Sequence, residues 1–440
     1  MNLSDSDLLM LQNLTYISED TAKLVKGLRD IRYYHTLKDY LDVFDETALL
    51  TLEAGGDTIV NHDNSSGSEL AAMLRYMKSS KSIGELSLTD FLVNKNNHVI
   101  ALCFFNHSEP AHGIVVFFGT IDEDEWKDNA LGLYQADTEA QKEALTFIEK
   151  LPYDTLTVVG HSKGGNKAQY VTILSPKVQK GVSFNGQGFS EEFLQKYSNE
   201  IQKNAYKITN YNLSTDYVHP LLFTLPGVTT YYVRGGADVK NLIQHHSANS
   251  FFEYYKDSNR YTQVVCTKDG NAYFPFTEES ALVRGIHNYT DFLQNNATES
   301  DKRLLGNYIG DLLYIETKDT DDEESQRKKL IQRLFQNPEE FATLLAYTIR
   351  FIEVYHLDNK ELVLLLYAIG LARLQSIIKL NPAELETLYK TLRIENDVSE
   401  KYKLLYQLFQ LLERVVGVGI NILSLWQEFE DKYRLLEDMI

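Results

Sequence analysis

Hydrophobic and polar positions change rhythm along this chain. Between residues 98 and 234, short β-branched and aromatic runs at 98–105 (HVIALCFF), 113–120 (GIVVFFGT), 155–160 (TLTVVG), 181–185 (GVSFN), 206–211 and 229–234 (TTYYVR) predict strands. Between them, 137–151, 165–174 and 190–204 carry the helical period. Continuous apolar strands alternating with helices predict a mostly parallel sheet covered on both faces. The segment before residue 90 reads as mostly helical from 4–14 onward, with an exposed loop at 55–67. Residues 317–325 (TKDTDDEES) form a polar, acidic linker or helix entrance, after which nearly everything is helical. Leu330, Leu334, Phe341, Leu344, Leu345, Thr348, Phe351, Ile352 and Tyr355 make a stripe broken at Asn337-Pro338. Further helices are expected at 360–380, 382–392 and 399–436, the second entered through Asn381 and an N1 proline, Pro382. The expected architecture is an α/β domain over 1–300 followed by an all-α domain over 321–440.

Glycine usage sharpens that division, because 21 of the 24 glycines precede residue 321. The net charge is −19, and residues 321–440 hold 15 Lys and Arg against 20 Asp and Glu, so most of the acidity lies in the first part. Such a surface repels a phosphate backbone, which argues against nucleic-acid binding. Cys103 and Cys266 cannot make a disulfide framework. The start, Met-Asn-Leu-Ser-Asp-Ser-Asp, has neither the basic nor the apolar region of a secretory signal. The best apolar stretches, 362–374 and 415–425, are shorter than the roughly 20 residues that span a bilayer. An acidic globular protein of cytoplasmic type is the resulting expectation.

The strongest chemical feature is Gly160-His161-Ser162-Lys163-Gly164, with strand-like TLTVV before it and helix-like NKAQYVTIL after Gly165. A serine on a sharp strand-to-helix turn needs small residues two before and two after it, here Gly160 and Gly164. The turn lifts Oγ above the carboxyl edge of the sheet and brings a helix N-terminus toward a reacting carbonyl. Ser162 is therefore the candidate nucleophile.

A nucleophilic serine needs a base and a group that orients the base, and on this kind of sheet they follow in the order acid, then histidine. Asp216 lies in the loop expected after 206–211. Downstream histidines are His219, His245, His246, His287 and His356, and the pair His245-His246 follows strand 229–234. Spacing nominates Ser162, Asp216 and one of that pair. For an oxyanion, the amide of Lys163 is one candidate donor and that of Thr120, closing the run 113–120, the other.

Together these residues resemble a family. The run VVFFGT, then Trp126-Lys127-Asp128, then Gly-His-Ser-Lys-Gly-Gly-Asn, is similar to the class 3 lipase-like α/β-hydrolases, and within them to the bacterial Mbeg1-like proteins. The opening LSDSDLLMLQNLTY, ending at Tyr16, is similar to the start of that branch. The resemblance covers roughly residues 1–270. It implies an α/β-hydrolase fold and a serine esterase or lipase cutting acyl esters without a metal or organic cofactor, with Ser162 as nucleophile, Asp216 as acid and His246 as base, five residues before Phe251. His245 is the fallback base. One departure stands at Phe118, where class 3 lipases commonly have arginine. Trp126 and Asp128 match a motif whose implied role is structural.

The layout of a lipase-like part followed by a helical part resembles lipase effectors exported by type VII secretion, and Tyr433-Arg-Leu-Leu-Glu437 fits that pathway's short tail pattern. On that reading small helical partners cover the C-terminal faces before export. The expected substrate is an acyl ester, a membrane lipid above all, with peripheral membrane contact and phospholipase activity. The competing classes are a non-catalytic hydrolase-like binding protein working through its helical part, and a thioesterase or acyltransferase.

Overall fold

The computed structural model describes residues 3–17, 19–56, 65–96, 98–106, 111–120, 128–129, 131–132, 134–235, 245–257, 260–317, 333, 336–355 and 422–440. Two compact units result: Met1–Ile121 with Ala136–Val283, and Asp122–Gln135 with Arg284–Ile440. The glycine-poor range 321–440 falls in the second. The expected linker beyond Thr317, the helices 360–380 and 382–392, the part 399–421 of the helix expected over 399–436, Trp126 and most of the loop 55–67 lie outside the described residues.

The first unit is α/β. Its sheet has eight strands in the order β1 (Leu86–Val93), β2 (Val99–Asn106), β3 (His112–Phe117), β4 (Thr155–His161), β5 (Val178–Phe184), β6 (Ile208–Leu213), β7 (Thr229–Val233) and β10 (Phe276–Thr277). A separate two-stranded sheet pairs β8 (Tyr254–Asp257) with β9 (Arg260–Val264). From β3 to β7 every neighbouring pair is parallel. The central strands β3 and β4 read as apolar runs because they are buried, while β7 is half exposed. Such a run reports burial and not direction, and β2 shows the difference: it pairs antiparallel with β3 across a five-residue link, too short for a crossover.

The stretch before residue 90 is mostly helical, as expected, up to Gly84; at its end β1 begins at Leu86 and pairs antiparallel with β2. It is an edge strand whose Thr89, Asp90 and Phe91 are exposed, so it lacks the two-sided apolar pattern that marks its neighbours. The region 190–204 breaks into Glu191–Lys196 and Ser198–Asn204, with Tyr197 between them.

Four helices set the site. Helix α1 (Asp5–Asn13) starts in a capping box, where Ser4 Oγ accepts from the Asp7 amide and Asp7 Oδ2 accepts from the Ser4 amide. Helix α1 is sunk into the domain, with Leu8 to Leu11 all buried. Its Asp5 accepts from Tyr211 Oη at 2.7 Å and pairs with Lys180 Nζ at 2.5 Å, which ties the N-terminus to β5 and β6. Helix α2 (Gly67–Ser79) repeats the capping box with Ser66 and Glu69, and its Tyr76 Oη donates to Asp7 at 3.1 Å. Helix α3 (Glu139–Lys150) does so with Thr138 and Gln141. Helix α4 (Lys163–Leu174) follows β4 and is buried over almost its whole length.

The second unit is helical, with α5 (Ala281–Asn296), α6 (Glu299–Thr317), α7 (Pro338–Tyr355) and α8 (Ile422–Met439). On α8, Leu425, Phe429, Tyr433 and Leu436 are buried at helical spacing, so this apolar face is core. Tyr433 Oη donates to Glu353 at 2.6 Å, and Lys432 Nζ pairs with Asp301 at 2.6 Å. Tyr433 of the tail pattern is thus held inside this unit. No helix among the described residues is long and apolar enough to cross a membrane.

Candidate active site

Ser162 sits between β4 and α4 with φ of 58° and ψ of −126°. A non-glycine residue with positive φ is uncommon and pays for it in steric strain. The turn is possible because of its glycines. A Cβ on Gly160 would lie 2.0 Å from the carbonyl oxygen of Gly164, and one on Gly164 would lie 2.2 Å from that of Phe117. Strand β4, the first turn of α4 and the end of β3 therefore touch backbone to backbone. The Ser162 amide donates to the Phe184 carbonyl at 2.9 Å, and its own carbonyl accepts the first helical bond from Asn166 at 3.1 Å.

Asp216 lies three residues past β6 and His246 follows β7, so the carboxyl ends of parallel strands β4, β6 and β7 carry all three side chains. His246 Nδ1 meets Asp216 Oδ1 at 2.6 Å. The carboxylate can only accept here, so Nδ1 carries the proton, and in the neutral imidazole Nε2 then bears the lone pair. That Nε2 is buried and has no hydrogen-bond partner among the described residues. Asp216 is fully buried. Burial by itself pushes its carboxyl up, but the neighbouring His246 and the hydrogen bonds from His219 and His246 outweigh it and hold the group below the usual carboxylate range. His245 turns away, with Nδ1 on Thr215 Oγ1 at 2.7 Å. Of the two adjacent histidines, His246 is the one joined to Asp216.

His161 links the serine turn to the histidine loop. Its ring lies 4.7 Å from that of His246, centroid to centroid. Its Nε2 donates to the His246 carbonyl at 2.7 Å, and Asn185 Nδ2 donates to the same oxygen at 3.2 Å. Nδ1 of His161 must then accept, and Tyr16 Oη supplies the proton at 2.6 Å. Burial, with His246 nearby, pushes the His161 imidazole down to about 3. Unfolded, the same ring titrates near 6.5. Between those values the unfolded chain binds the extra proton, so stability is complete above about pH 6.5 and falls as pH drops toward 3, by at most roughly 1.4 kcal/mol per pH unit. Urea midpoints measured from pH 7.5 to 4 should fall on acidification, and His161→Gln, which carries no titrating group, should flatten that slope. Equal slopes would refute the linkage. Tyr16→Phe, which strands a buried acceptor, should cost about 1–3 kcal/mol at pH 7.5.

Thr120 and Lys163, the two candidate oxyanion donors, sit on elements that touch. Lys163 is the first residue of α4 and is buried. Gly119, beside Thr120, approaches both the Tyr16 hydroxyl and the His161 carbonyl so closely that a Cβ there would come within 2.4 Å and 3.4 Å of them. Phe118, at the position of the departure from class 3 lipases, is buried, and its amide donates to Ile100. Asp128 is buried in the second unit. No cluster of three or more potential metal ligands occurs among the described residues.

Tyr16, Asn185 and His219 join the site without a signal for it in the sequence, where His161 is only the variable position of its pentapeptide. Tyr16 ends the N-terminal signature, 145 positions from its partner His161. His219 was one of five downstream histidines, and nothing in its spacing distinguished it.

Residues 79–252 match the Mbeg1-like family, in agreement with the motif resemblance. The match spans Ser162, Asp216 and His246 and leaves Tyr16 outside it. No curated protein matches the chain.

Proposed function

We propose that this protein is a serine carboxylic-ester hydrolase of the α/β-hydrolase type, acting as a lipase or phospholipase on acyl esters of membrane lipids. The observation that carries the reading is the free, buried Nε2 of His246, with its proton held at Nδ1 by Asp216, on a ring packed beside the residue that precedes a strained serine. In this reaction Ser162 Oγ attacks the ester carbonyl as His246 Nε2 takes its proton. The Lys163 and Thr120 amides receive the developing oxyanion. The tetrahedral intermediate collapses, and the imidazolium returns the proton to the departing alcohol, leaving acyl-Ser162. Water, deprotonated by the same imidazole, then attacks the acyl group and releases a carboxylic acid and free Ser162. Asp216 keeps Nδ1 protonated and stabilises the imidazolium.

A net charge of −19 works against an anionic bilayer, so lipid engagement on this reading relies on apolar contact. The test is acid release from a short p-nitrophenyl ester and from a diacyl phospholipid, beside Ser162→Ala. Wild type should turn over at least about 10³-fold faster than Ser162→Ala. Equal, slow release by both proteins would favour the non-catalytic binding class. Ester product on adding a primary alcohol would redirect the assignment to an acyltransferase.

A further inference from the structure

Asp216 holds a second imidazole that the proposed reaction does not use. The main-chain amide of His219 donates to Asp216 Oδ2 at 2.7 Å, and His219 Nδ1 meets the same oxygen at 2.8 Å. His246 occupies the other oxygen, Oδ1. Both partners are buried, with side-chain exposures of 5 % for His219 and 0 % for Asp216. His219 Nε2 has no hydrogen-bond partner among the described residues. Burying an unpaired ring nitrogen costs free energy, and a merely structural donor to Oδ2 would not need one.

We infer that His219 is a positioning residue for the ester hydrolysis proposed above: by clamping Oδ2 with two donors, it fixes the plane of the Asp216 carboxylate so that Oδ1 stays on His246 Nδ1. The inference rests on that reading of the site. A carboxylate turns readily about its Cβ–Cγ bond, and its two oxygens are equivalent until something distinguishes them. The His219 amide alone marks Oδ2 through a three-residue turn. The ring adds a second direction, so that the plane as well as the position is set. His219 and Pro220 lie within the turn closed by the Leu221 amide on the Val218 carbonyl at 3.0 Å, which limits how far the donor pair can drift. The surroundings leave few competitors for either imidazole. His219 packs against the Tyr232 ring at 5.8 Å, and Tyr232 Oη is held by Glu279. His246 faces the rings of His161 and Tyr217. His245 is held by Thr215.

Three substitutions separate positioning from packing. His219→Phe keeps a flat ring and removes the donor; His219→Asn puts an amide N–H where Nδ1 stood; His219→Gln reaches only the Nε2 position. Two readouts apply. The first is kcat and KM on a short p-nitrophenyl ester. The second is the far-downfield proton resonance of the His246 Nδ1–H to Asp216 hydrogen bond, which needs no substrate. His219→Phe and His219→Gln should lower kcat roughly 100-fold, with KM within about threefold, since the loss is one of alignment. Their downfield resonance should move or broaden away. His219→Asn should recover kcat to within about tenfold of wild type and restore the resonance.

Three variants with equal kcat and an unchanged resonance would overturn the inference. If His219→Phe does not fold, the contrast between Asn and Gln decides in the same way. A wild-type protein without any ester turnover would sink the hydrolase reading, while the resonance would still decide whether His219 sets the carboxylate.

Discussion

His246→Ala is expected to lower kcat on an ester by about 10⁴-fold or more, whereas His245→Ala keeps most of the activity. The two residues are adjacent in sequence, yet their rings do different things. His246 Nδ1 is held by Asp216 at 2.6 Å, which leaves Nε2 free to take a proton. His245 Nδ1 is engaged by Thr215 at 2.7 Å, and burial pushes its imidazole below the ordinary range, against the attraction of Asp216. Loss of the base leaves only oxyanion contacts and binding, which by themselves give a small residual rate. Steady-state kinetics of both single variants decide the matter. Full turnover in His246→Ala, or equal losses in the two proteins, would remove His246 from the role. Thermal unfolding of each variant shows that a lost rate is not a lost fold.

Gly160→Ala is expected to cost about 3 kcal/mol or more, enough to leave little folded protein. The new methyl would sit 2.0 Å from the Gly164 carbonyl oxygen, 2.1 Å from its carbon and 2.6 Å from the Gly165 amide nitrogen. All three are backbone atoms of the first turn of α4, so no side chain can swing aside. Relief requires α4 to move off β4, and α4 is buried along nearly its full length. Gly164→Ala meets the Phe117 and Phe118 carbonyls at 2.2 Å and 2.8 Å, and should behave alike. Gly285 supplies the contrast, because a Cβ there meets nothing within 4 Å inside α5. Gly285→Ala should be neutral or add up to about 1 kcal/mol, through its helix propensity. Denaturant unfolding of the three variants tests the set, and a Gly160→Ala protein as stable as wild type would contradict the close backbone approach.

Legibility in the sequence followed burial. Strands β3 to β6 stand out because they are mostly buried, whereas β7 is half exposed and shows through its β-branched and aromatic residues; the helices between them carry a clear period. Their observed ends differ from the expected ones by a few residues. Strand β1 and the β8–β9 hairpin escaped notice because edge and satellite strands are half polar and short, so their pattern is weak. The antiparallel direction of β2 was also hidden, since direction depends on the link to β3 and not on composition.

The serine turn is legible from local residues alone. Local sterics require small residues around a strained serine between a strand and a helix, and Gly160, Ser162 and Gly164 satisfy that requirement with no knowledge of the rest of the chain. The sequence also narrows the base to two adjacent histidines and nominates Asp216 from its loop. Which imidazole meets the carboxylate, and the membership of Tyr16 and His219 in the same cluster, emerge from the fold. The difference is one of range. A turn is fixed by contacts among neighbours in the chain, whereas Asp216 and His246 meet because the sheet gathers segments that lie far apart in sequence, and Tyr16 reaches His161 because the N-terminal helix packs against β4.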